Sequence, residues 1–400
     1  MIKRIHKSEL RLGMYIHSLD CNWMLHSFIR GSFPLQRQTD LEQILDSAVE
    51  NVQIDTTRGL DTEVPAPRDP APQGPTAHLE ELPIARQIKR EADTIIHSLL
   101  LDVRMGRQIQ VERLEPVVSR IIGSILRNPG TLVSLCRLRQ ADQATFQHSV
   151  SSCALLIMFG QHLHLDRDTL HEAGVAGMLH DIGKMRVPDH ILNKPGPLTQ
   201  AESAIMRGHV RLGLETLSQT PGISKLVMQV AGEHHERLDG SGYPRRLRGL
   251  EISPMGRMAT IVDVYDAMTS IRIYQGGIEP AEALRRLYLE SPAGLDGDLV
   301  QHFIQAIGIY PVGSLVRLES GRLAVVLQQN QGGPLHPVVR VLYDIRHAMT
   351  LPPFDLDLAG GGDGVAGHEE PAAWNLVPGS LIDPGPMRQA RSAAPRPAPG

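Results

Sequence analysis

Apolar residues recur at intervals of three and four over most of residues 84–310, the spacing that places them on one face of a helix. One such face consists of Ile95, Ile96, Leu99, Leu100 and Val103. A second face consists of Leu114, Val117, Val118, Ile121, Ile122 and Ile125. The repetition predicts a mostly α protein whose central domain, residues 84–310, is a helical bundle.

Three local patterns predict where helices of this domain begin. Two have the Thr-x-x-Glu form of a capping box, and the third pairs an N-cap serine with a proline at the first helical position. They are Thr169 with Glu172, Thr199 with Glu202, and Ser253 with Pro254.

The flanking segments have other patterns. Residues 1–62 predict a small α+β domain, with short strands at 12–16 and 52–55 and a helix carrying Leu41, Ile44, Leu45, Ala48 and Val49. Residues 63–83 are predicted to be a linker, since the segment 64–75 alone holds five prolines. Residues 311–350 alternate in polarity around Ser320-Gly321 and predict a small β module. Residues 351–400 are rich in Gly, Pro and Ala and predict a disordered tail.

Composition narrows the functional classes. The net charge is −4 and aromatic residues make up 4% of the 400, which disfavours nucleic acid as the main partner. The three cysteines form no CxxC pair, so a disulfide framework is not expected. The first residues lack the apolar region of a signal peptide, and no apolar run is long enough for a membrane span. These features predict a cytoplasmic protein.

Imidazoles and carboxylates occur in order along the central domain. The set is His148, His180, Asp181, His209, His234, His235 and Asp263. With one position taken from each motif, successive members are separated by about the length of one helix and its loop. Their side chains could therefore converge inside a helical bundle. The chain has 18 histidines, and any one of them taken alone is expected to be a surface or core residue. The ordered set, however, predicts a metal site.

The donor types indicate which metals would suit such a site. Imidazole with carboxylate favours borderline metals such as Mn, Fe or Zn, and the lack of a thiolate disfavours structural zinc. Seven donors are too many for one ion that keeps an open position. We therefore expect a binuclear site with Asp181 as a bridging carboxylate.

At these residues the sequence resembles a known family. HDIGK at 180–184, HHERLDGSGYP at 234–244 and DVYDAM at 263–268 are similar to the HD-GYP family of HD-superfamily phosphohydrolases. The resemblance implies an all-α bundle that hydrolyses cyclic di-GMP, with divalent metal, to linear pGpG and in many members on to GMP. It also implies that the seven residues above are the metal ligands.

The resemblance implies further roles residue by residue. Asp181 and Lys184 would be catalytic, with the lysine close to the scissile phosphate. Tyr243, Gly242, Pro244 and Arg272 would contact the substrate. Each of these positions also has a simpler explanation. Lys184 could be a lysine at a helix end, GSGYP could be only a tight turn, and Arg272 could be a solvated surface arginine.

The chain departs from the family pattern at two positions. Gln275 replaces a basic residue, and Ala144 replaces a carboxylate that holds a third metal in some members. Two metals, Fe or Mn, are therefore expected. Asp189 lies where some members have an extra ligand, although a loop or N-cap aspartate is the simpler interpretation.

The N-terminal segment has a resemblance of its own. ELRLGMYIHSLD at 9–20 and VQIDTTRGLD at 52–61 resemble an uncharacterised domain often fused ahead of HD-GYP domains. Fusion suggests regulation or partner contact. The HD-GYP resemblance separately implies that the protein can contact GGDEF-type diguanylate cyclases. Trp23 and Phe28 are expected to pack in the core of the N-terminal domain, with a binding surface as the alternative.

Two other functions remain open from the sequence. One is an HD phosphohydrolase acting on another nucleotide, which would not need the GYP segment. The other is a signalling scaffold that binds cyclic di-GMP or a GGDEF partner without hydrolysis, which would not need seven intact ligands and a lysine. For the enzyme, the family implies an effect on motility and biofilm.

Overall fold

The structure is a computed structural model that divides into two compact units, residues 1–71 and 72–400. It describes residues 2–7, 10, 12–19, 32–35, 39, 41, 44–45, 51–59, 77–137, 144–270, 278–330, 335–374 and 376. Among these residues, no helix combines the length and the apolar composition that crossing a bilayer requires.

The first unit contains a small antiparallel sheet. Its strands are β1 (Ile2–His6), β2 (Tyr15–Leu19), β3 (Phe33–Pro34) and β4 (Asn51–Asp55), in the order β1-β4-β2-β3. The strand predicted at 52–55 is confirmed, whereas the one predicted at 12–16 begins only at Tyr15. The left-handed backbone of Gly13 makes a turn there, with a φ of 93°.

The α+β character of this unit is as predicted. Leu41, Ile44 and Leu45 are helical, and Ile44 is buried against the sheet. Ala48, Val49, Trp23 and Phe28 lie outside the described residues, as do the five prolines of segment 64–75.

The second unit begins with a helical bundle. Its helices are α1 (His78–Arg104), α2 (Glu115–Arg127), α3 (Pro129–Arg137), α4 (Ala144–His162), α5 (Arg167–Leu179), α6 (Asp189–Leu192), α7 (Gln200–Arg207), α8 (His209–Ser218), α9 (Lys225–Glu233), α10 (Pro254–Thr269), α11 (Pro280–Gly294) and α12 (Gly297–Ile307). The two predicted apolar faces are buried in one core, with Ile95 partly exposed at its edge. The mostly α fold class is thus confirmed.

The predicted linker extends too far, because α1 begins at His78 rather than after residue 83. In its first turns, the side chains of Leu82 and Glu81 are buried. The Glu81 carboxylate forms an ion pair with Arg127, with 2.7 Å between Oε2 and Nε. Pro83 lies inside the helix, near its start. The contacts of these turns with the bundle outweigh the helix-breaking tendency of the proline.

Two of the three predicted helix starts are confirmed. Thr199 forms a reciprocal capping box with Glu202, and the Ser253 side chain accepts a hydrogen bond from the Gly256 amide. The prediction for Thr169 is wrong, since Asp166 caps α5 and accepts a hydrogen bond from the Thr169 amide at 2.9 Å. An aspartate three residues upstream supplies the same capping oxygen one turn earlier.

A five-stranded antiparallel sheet follows the bundle. Its strands are β5 (Leu315–Leu318), β6 (Arg322–Gln328), β7 (Val338–Asp344), β8 (Met349–Asp357) and β9 (Val365–His368), in the order β8-β7-β6-β5-β9. The turn at Ser320-Gly321 is confirmed, with Gly321 at a φ of 79°. The predicted end of the module at residue 350 is wrong, because β8 and β9 complete both edges of the sheet and Trp374 is buried against it.

Candidate metal centre

Three helix ends and two helix interiors bring the seven predicted ligands into one cluster. His148 projects from α4 and Asp263 from α10, while His209 is the first residue of α8. His180 and Asp181 directly follow α5, and His234 and His235 directly follow α9. Their donor atoms form two groups, each within 4.8 Å: His148, His180 and Asp263 in one, and Asp181, His209, His234 and His235 in the other.

Asp181 connects the two groups through its two carboxylate oxygens. Oδ2 lies 3.3 Å from His148 Nε2 and 3.5 Å from His180 Nε2. Oδ1 lies 3.2 Å from His209 Nε2 and 3.6 Å from His234 Nε2. One oxygen therefore faces each histidine pair, as a bridging carboxylate requires.

Backbone carbonyls orient three of the imidazoles. His180 Nδ1 donates to Gly177 O at 2.9 Å, and His209 Nδ1 donates to Met206 O at 2.8 Å. His234 Nδ1 lies 3.1 Å from the carbonyl oxygens of Val230 and Ala231. With the proton held on Nδ1, the lone pair of each Nε2 points into the cluster, which is the arrangement of a metal-ligating histidine.

Carboxylates orient the two remaining imidazoles, those of His148 and His235. His148 Nδ1 lies 2.5 Å from Asp266 Oδ2, and Asp266 also accepts a hydrogen bond from Ser151 at 2.5 Å. His235 Nδ1 lies 3.4 Å from Asp263 Oδ2. Asp266 thus fixes the His148 ring so that Nε2 faces Asp181 and Asp263.

Burial and neighbouring charges set the protonation of the cluster. Burial lowers the pKa of His180 to about 3 and that of His235 to about 2. Burial opposes ionisation of Asp181, but Lys184 and His180 hold its pKa well below the usual range. For His148, hydrogen bonds to Asp181, Asp263 and Asp266 overcome burial and raise the pKa.

The cluster fits divalent metal ions. Oδ1 of Asp181 is buried and accepts no hydrogen bond from the described residues, although a buried carboxylate oxygen without a partner is costly. A cation shared with His209 and His234 would satisfy it. The donors are imidazoles and carboxylates, which suit borderline divalent metals.

Lys184 lies at the edge of the cluster. It belongs to the 3₁₀ turn Ile182–Arg186, and its Nζ forms an ion pair with Asp181 Oδ2. That oxygen is the one facing His148 and His180. The ammonium group therefore adds positive charge on the side of the first group of ligands.

The loop that contains Gly242, Tyr243 and Pro244, here called the GYP loop, covers the second group of ligand candidates. The ring of Tyr243 stacks on His235, with centroids 4.7 Å apart and an angle of 29° between the planes. Glu236 holds the loop by accepting hydrogen bonds from the amides of Arg245 and Leu247, at 2.7 and 3.1 Å. Gly242 passes so close that a Cβ there would lie 2.5 Å from Glu236 Cα.

The remaining predicted positions have different outcomes. Arg272 and Gln275 lie outside the described residues. Ala144 begins α4, and its side chain is not described. Asp189 is exposed at the first position of α6, where it forms an ion pair with Arg104.

Sequence reasoning missed three residues that position the site. Asp266 follows Asp263 by three positions on α10, a spacing that could have indicated a second carboxylate on nearly the same face. Glu236 directly follows the His-His pair. Gly183 lies where the turn at 182–186 contacts α8, and a Cβ there would overlap the carbonyl oxygen of His209.

Comparisons with known proteins agree with this site. A family model described as an HD domain matches residues 137–299, which include all seven ligand candidates. A second model, a domain of unknown function named DUF3391, matches residues 2–114. It confirms the resemblance of the N-terminal segment and extends it beyond residue 62, through α1.

Curated relatives include nearly full-length and partial matches. The chain is 43% identical over 390 residues to cyclic di-GMP phosphodiesterase PA4108 of Pseudomonas aeruginosa, covering 94% of each chain. It is 36% identical over 165 residues to the cyclic di-GMP phosphodiesterase of Thermotoga maritima, covering 41% of this chain and 45% of that one. It is 38% identical over 153 residues to 3'3'-cGAMP-specific phosphodiesterase 1 of Vibrio cholerae, covering 38% of this chain and 35% of that one. The chain therefore belongs to the HD-domain family, in its HD-GYP group of cyclic dinucleotide phosphodiesterases.

Proposed function

We propose that this protein is a phosphodiesterase that hydrolyses cyclic di-GMP to linear pGpG, with GMP as the product of a second cleavage. The observation that carries the proposal is the position of Asp181, whose two oxygens face separate histidine pairs. A relative named for this activity is 43% identical over 94% of the chain, which supports the choice of substrate.

The seven clustered residues would hold two divalent metal ions, Fe or Mn. His148, His180 and Asp263 would bind one ion, and His209, His234 and His235 would bind the other, with Asp181 shared between the two. When bound, two such ions supply charge neutralisation on a phosphate and lower the pKa of water.

Lys184 and Tyr243 would act on the substrate from opposite sides of the cluster. The ammonium group of Lys184 would stabilise the negative charge that develops on the departing ribose oxygen. The ring of Tyr243, stacked on His235, would position a guanine or its ribose. Burial raises the pKa of the Tyr243 hydroxyl, so the group stays protonated and can donate a hydrogen bond. Gly242 and Pro244 would shape the loop, and Arg272 would contact a phosphate.

The test is turnover by the metal-loaded protein. Purified protein is loaded anaerobically with Fe or Mn and incubated with cyclic di-GMP, and the products are separated by chromatography. We expect pGpG from the wild type and loss of most activity in Asp181→Ala. Asp189→Ala is the matched control, because Asp189 is exposed and lies outside the cluster. Equal activity of Asp181→Ala and the wild type would refute the proposed role of the cluster.

The same assay discriminates the other functions. Because one relative is named as specific for 3'3'-cGAMP, that dinucleotide is the first competing substrate. If 3'3'-cGAMP or a mononucleotide is turned over faster than cyclic di-GMP, that compound is the substrate instead of cyclic di-GMP. Binding of cyclic di-GMP by metal-loaded protein without cleavage would favour the scaffold.

The cellular setting is also a proposal. We place the protein in the cytoplasm, where it would lower the concentration of cyclic di-GMP and so alter motility and biofilm formation. The N-terminal unit would connect it to a signal or to a GGDEF-type cyclase. Deletion of the gene should raise cellular cyclic di-GMP, and an unchanged level would contradict this setting.

A further inference from the structure

A cavity of about 360 Å³ lies between the helical bundle and the C-terminal sheet, away from the metal centre. Its wall is built from α3, the end of α4, the end of α12 and the residues that follow β6. None of the seven ligand candidates lines it. The volume is within the range of small-molecule sites.

The charge of the lining favours an anion. No carboxylate is among the described residues that line the cavity, whereas Arg127 and Arg137 are. Arg127 is engaged by Glu81 through two hydrogen bonds of 2.7 and 2.9 Å. Arg137 makes one long hydrogen bond, 3.4 Å from Nη1 to Val312 O, and its buried Nε has no acceptor among the described residues. Arg137 lies close enough to Glu279 to interact with its charge, but no hydrogen bond joins Arg137 to a carboxylate among the described residues. Arg137 is therefore the cavity cation that can still donate to a ligand.

A second polar group at the cavity, on Gln329, is also left unsatisfied by the described residues. Gln329 donates to Tyr310 O at 2.5 Å, but its buried Oε1 accepts no hydrogen bond from the described residues. Tyr265 lines the cavity and is 1% exposed. Buried polar groups without partners are uncommon in proteins, so the unsatisfied atoms of Arg137 and Gln329 point to a bound polar molecule.

The rest of the lining combines amides with an apolar floor. The amide side chains are Asn128, Gln161, Gln305, Gln328, Gln329 and Asn330. The floor includes Val133, Met158, Ile307 and Val312. Amides pair with the hydrogen-bonding edges of nucleobases, and apolar side chains pack on their faces. A guanidinium group binds phosphate through paired hydrogen bonds.

We propose that this cavity binds a nucleoside monophosphate, with the phosphate on Arg137 and the base among the amides and the apolar floor. The site is separate from the metal centre but shares a helix with it, because α10 carries Tyr265 as well as Asp263 and Asp266. A ligand against Tyr265 would thus contact the helix that supplies a metal ligand.

The test is equilibrium binding of GMP to the full-length, metal-loaded protein, in the wild type and three variants. Arg137→Gln removes the proposed phosphate contact and should weaken binding by about tenfold or more. Ala306→Phe fills the cavity from α12 and should abolish binding. Arg90→Gln, at an exposed position of α1, is the matched control and should bind as the wild type does.

Asp181→Ala separates this site from the metal centre. If GMP occupies the cavity, Asp181→Ala binds it normally and Arg137→Gln does not. The reverse result would place GMP at the metal centre and overturn the proposal, as would an absence of saturable binding at millimolar GMP. Inorganic phosphate or guanosine binding as tightly as GMP would also overturn it. Because the readout is binding, the result stands whether or not cyclic di-GMP is hydrolysed.

Discussion

Asp266 Oδ2 lies 2.5 Å from Nδ1 of His148, and this contact turns the other ring nitrogen of His148 toward Asp181 and Asp263. The carboxylate itself belongs to neither ligand group. It would therefore act on a bound metal through the histidine, by fixing the ring and raising its basicity.

Substitution of Asp266 should weaken metal binding without removing a ligand. We expect Asp266→Asn to lower metal affinity by about 10–100-fold, the usual effect of losing such a partner. Metal content after dialysis against graded metal buffers measures this directly. Asp168→Asn, at an exposed position of α5, is the control. If Asp266→Asn retains metal as the wild type does, the contact is structural only.

Metal removal should destabilise the second unit. The folded cluster gathers three carboxylates and five histidines that the unfolded chain does not hold together, so bound metal stabilises the folded state by mass action. At a metal concentration one hundred times Kd the stabilisation is about 2.7 kcal/mol. Calorimetry with and without a chelator should show a lower Tm for the metal-free protein. In Asp181→Ala, the chelator should change the Tm much less.

Acid should also destabilise the metal-free protein, below about pH 6.5. Burial holds the pKa of His180 at about 3 and that of His235 at about 2, below the ordinary value of 6.5. The unfolded chain binds these protons at higher pH than the folded one, so stability falls as the pH drops below 6.5. Each group contributes about 1.4 kcal/mol per pH unit. His148, whose pKa is raised, is protonated in both states there and does not offset the loss.

Urea unfolding between pH 6.5 and 4.5 measures this slope. His235→Gln should make it shallower by removing one of the two groups. His190→Gln, at an exposed histidine outside the cluster, should leave the slope unchanged. A slope that is equal in all three proteins would contradict the assignment.

Gly183→Ala should damage both stability and metal binding. A Cβ at this position would overlap the carbonyl oxygen of His209, so the turn carrying Lys184 must move away from α8. We expect a loss of about 1–3 kcal/mol in the free energy of unfolding, with reduced metal content. Gly123→Ala in α2 is the control, because a Cβ there meets only the end of the Arg127 side chain at 3.4 Å. Full stability of Gly183→Ala would show that the two elements can separate freely.

The sequence alone determined the helical bundle and the members of the cluster of candidate ligands. Helical faces such as Val117, Ile121 and Ile125 repeat within a few turns, so burial on one side follows from local spacing. The capping box at Thr199 is equally local, since both partners lie within one turn. His148 and Asp263 were identified by their order among recognisable motifs, which requires no knowledge of distance.

Only the tertiary structure decided how these residues are paired. Asp181 faces two histidine pairs, and Asp266 meets His148 across 118 positions of sequence, because α4, α5, α8, α9 and α10 pack at one place. Such contacts depend on how helices are arranged, which local periodicity does not specify. The same holds for the cavity beside Tyr265, which exists because the C-terminal sheet packs at the end of the bundle. For the edge strands β8 and β9, pairing with β7 and β5 supplies the hydrogen bonds that a segment rich in Gly and Pro does not form by itself.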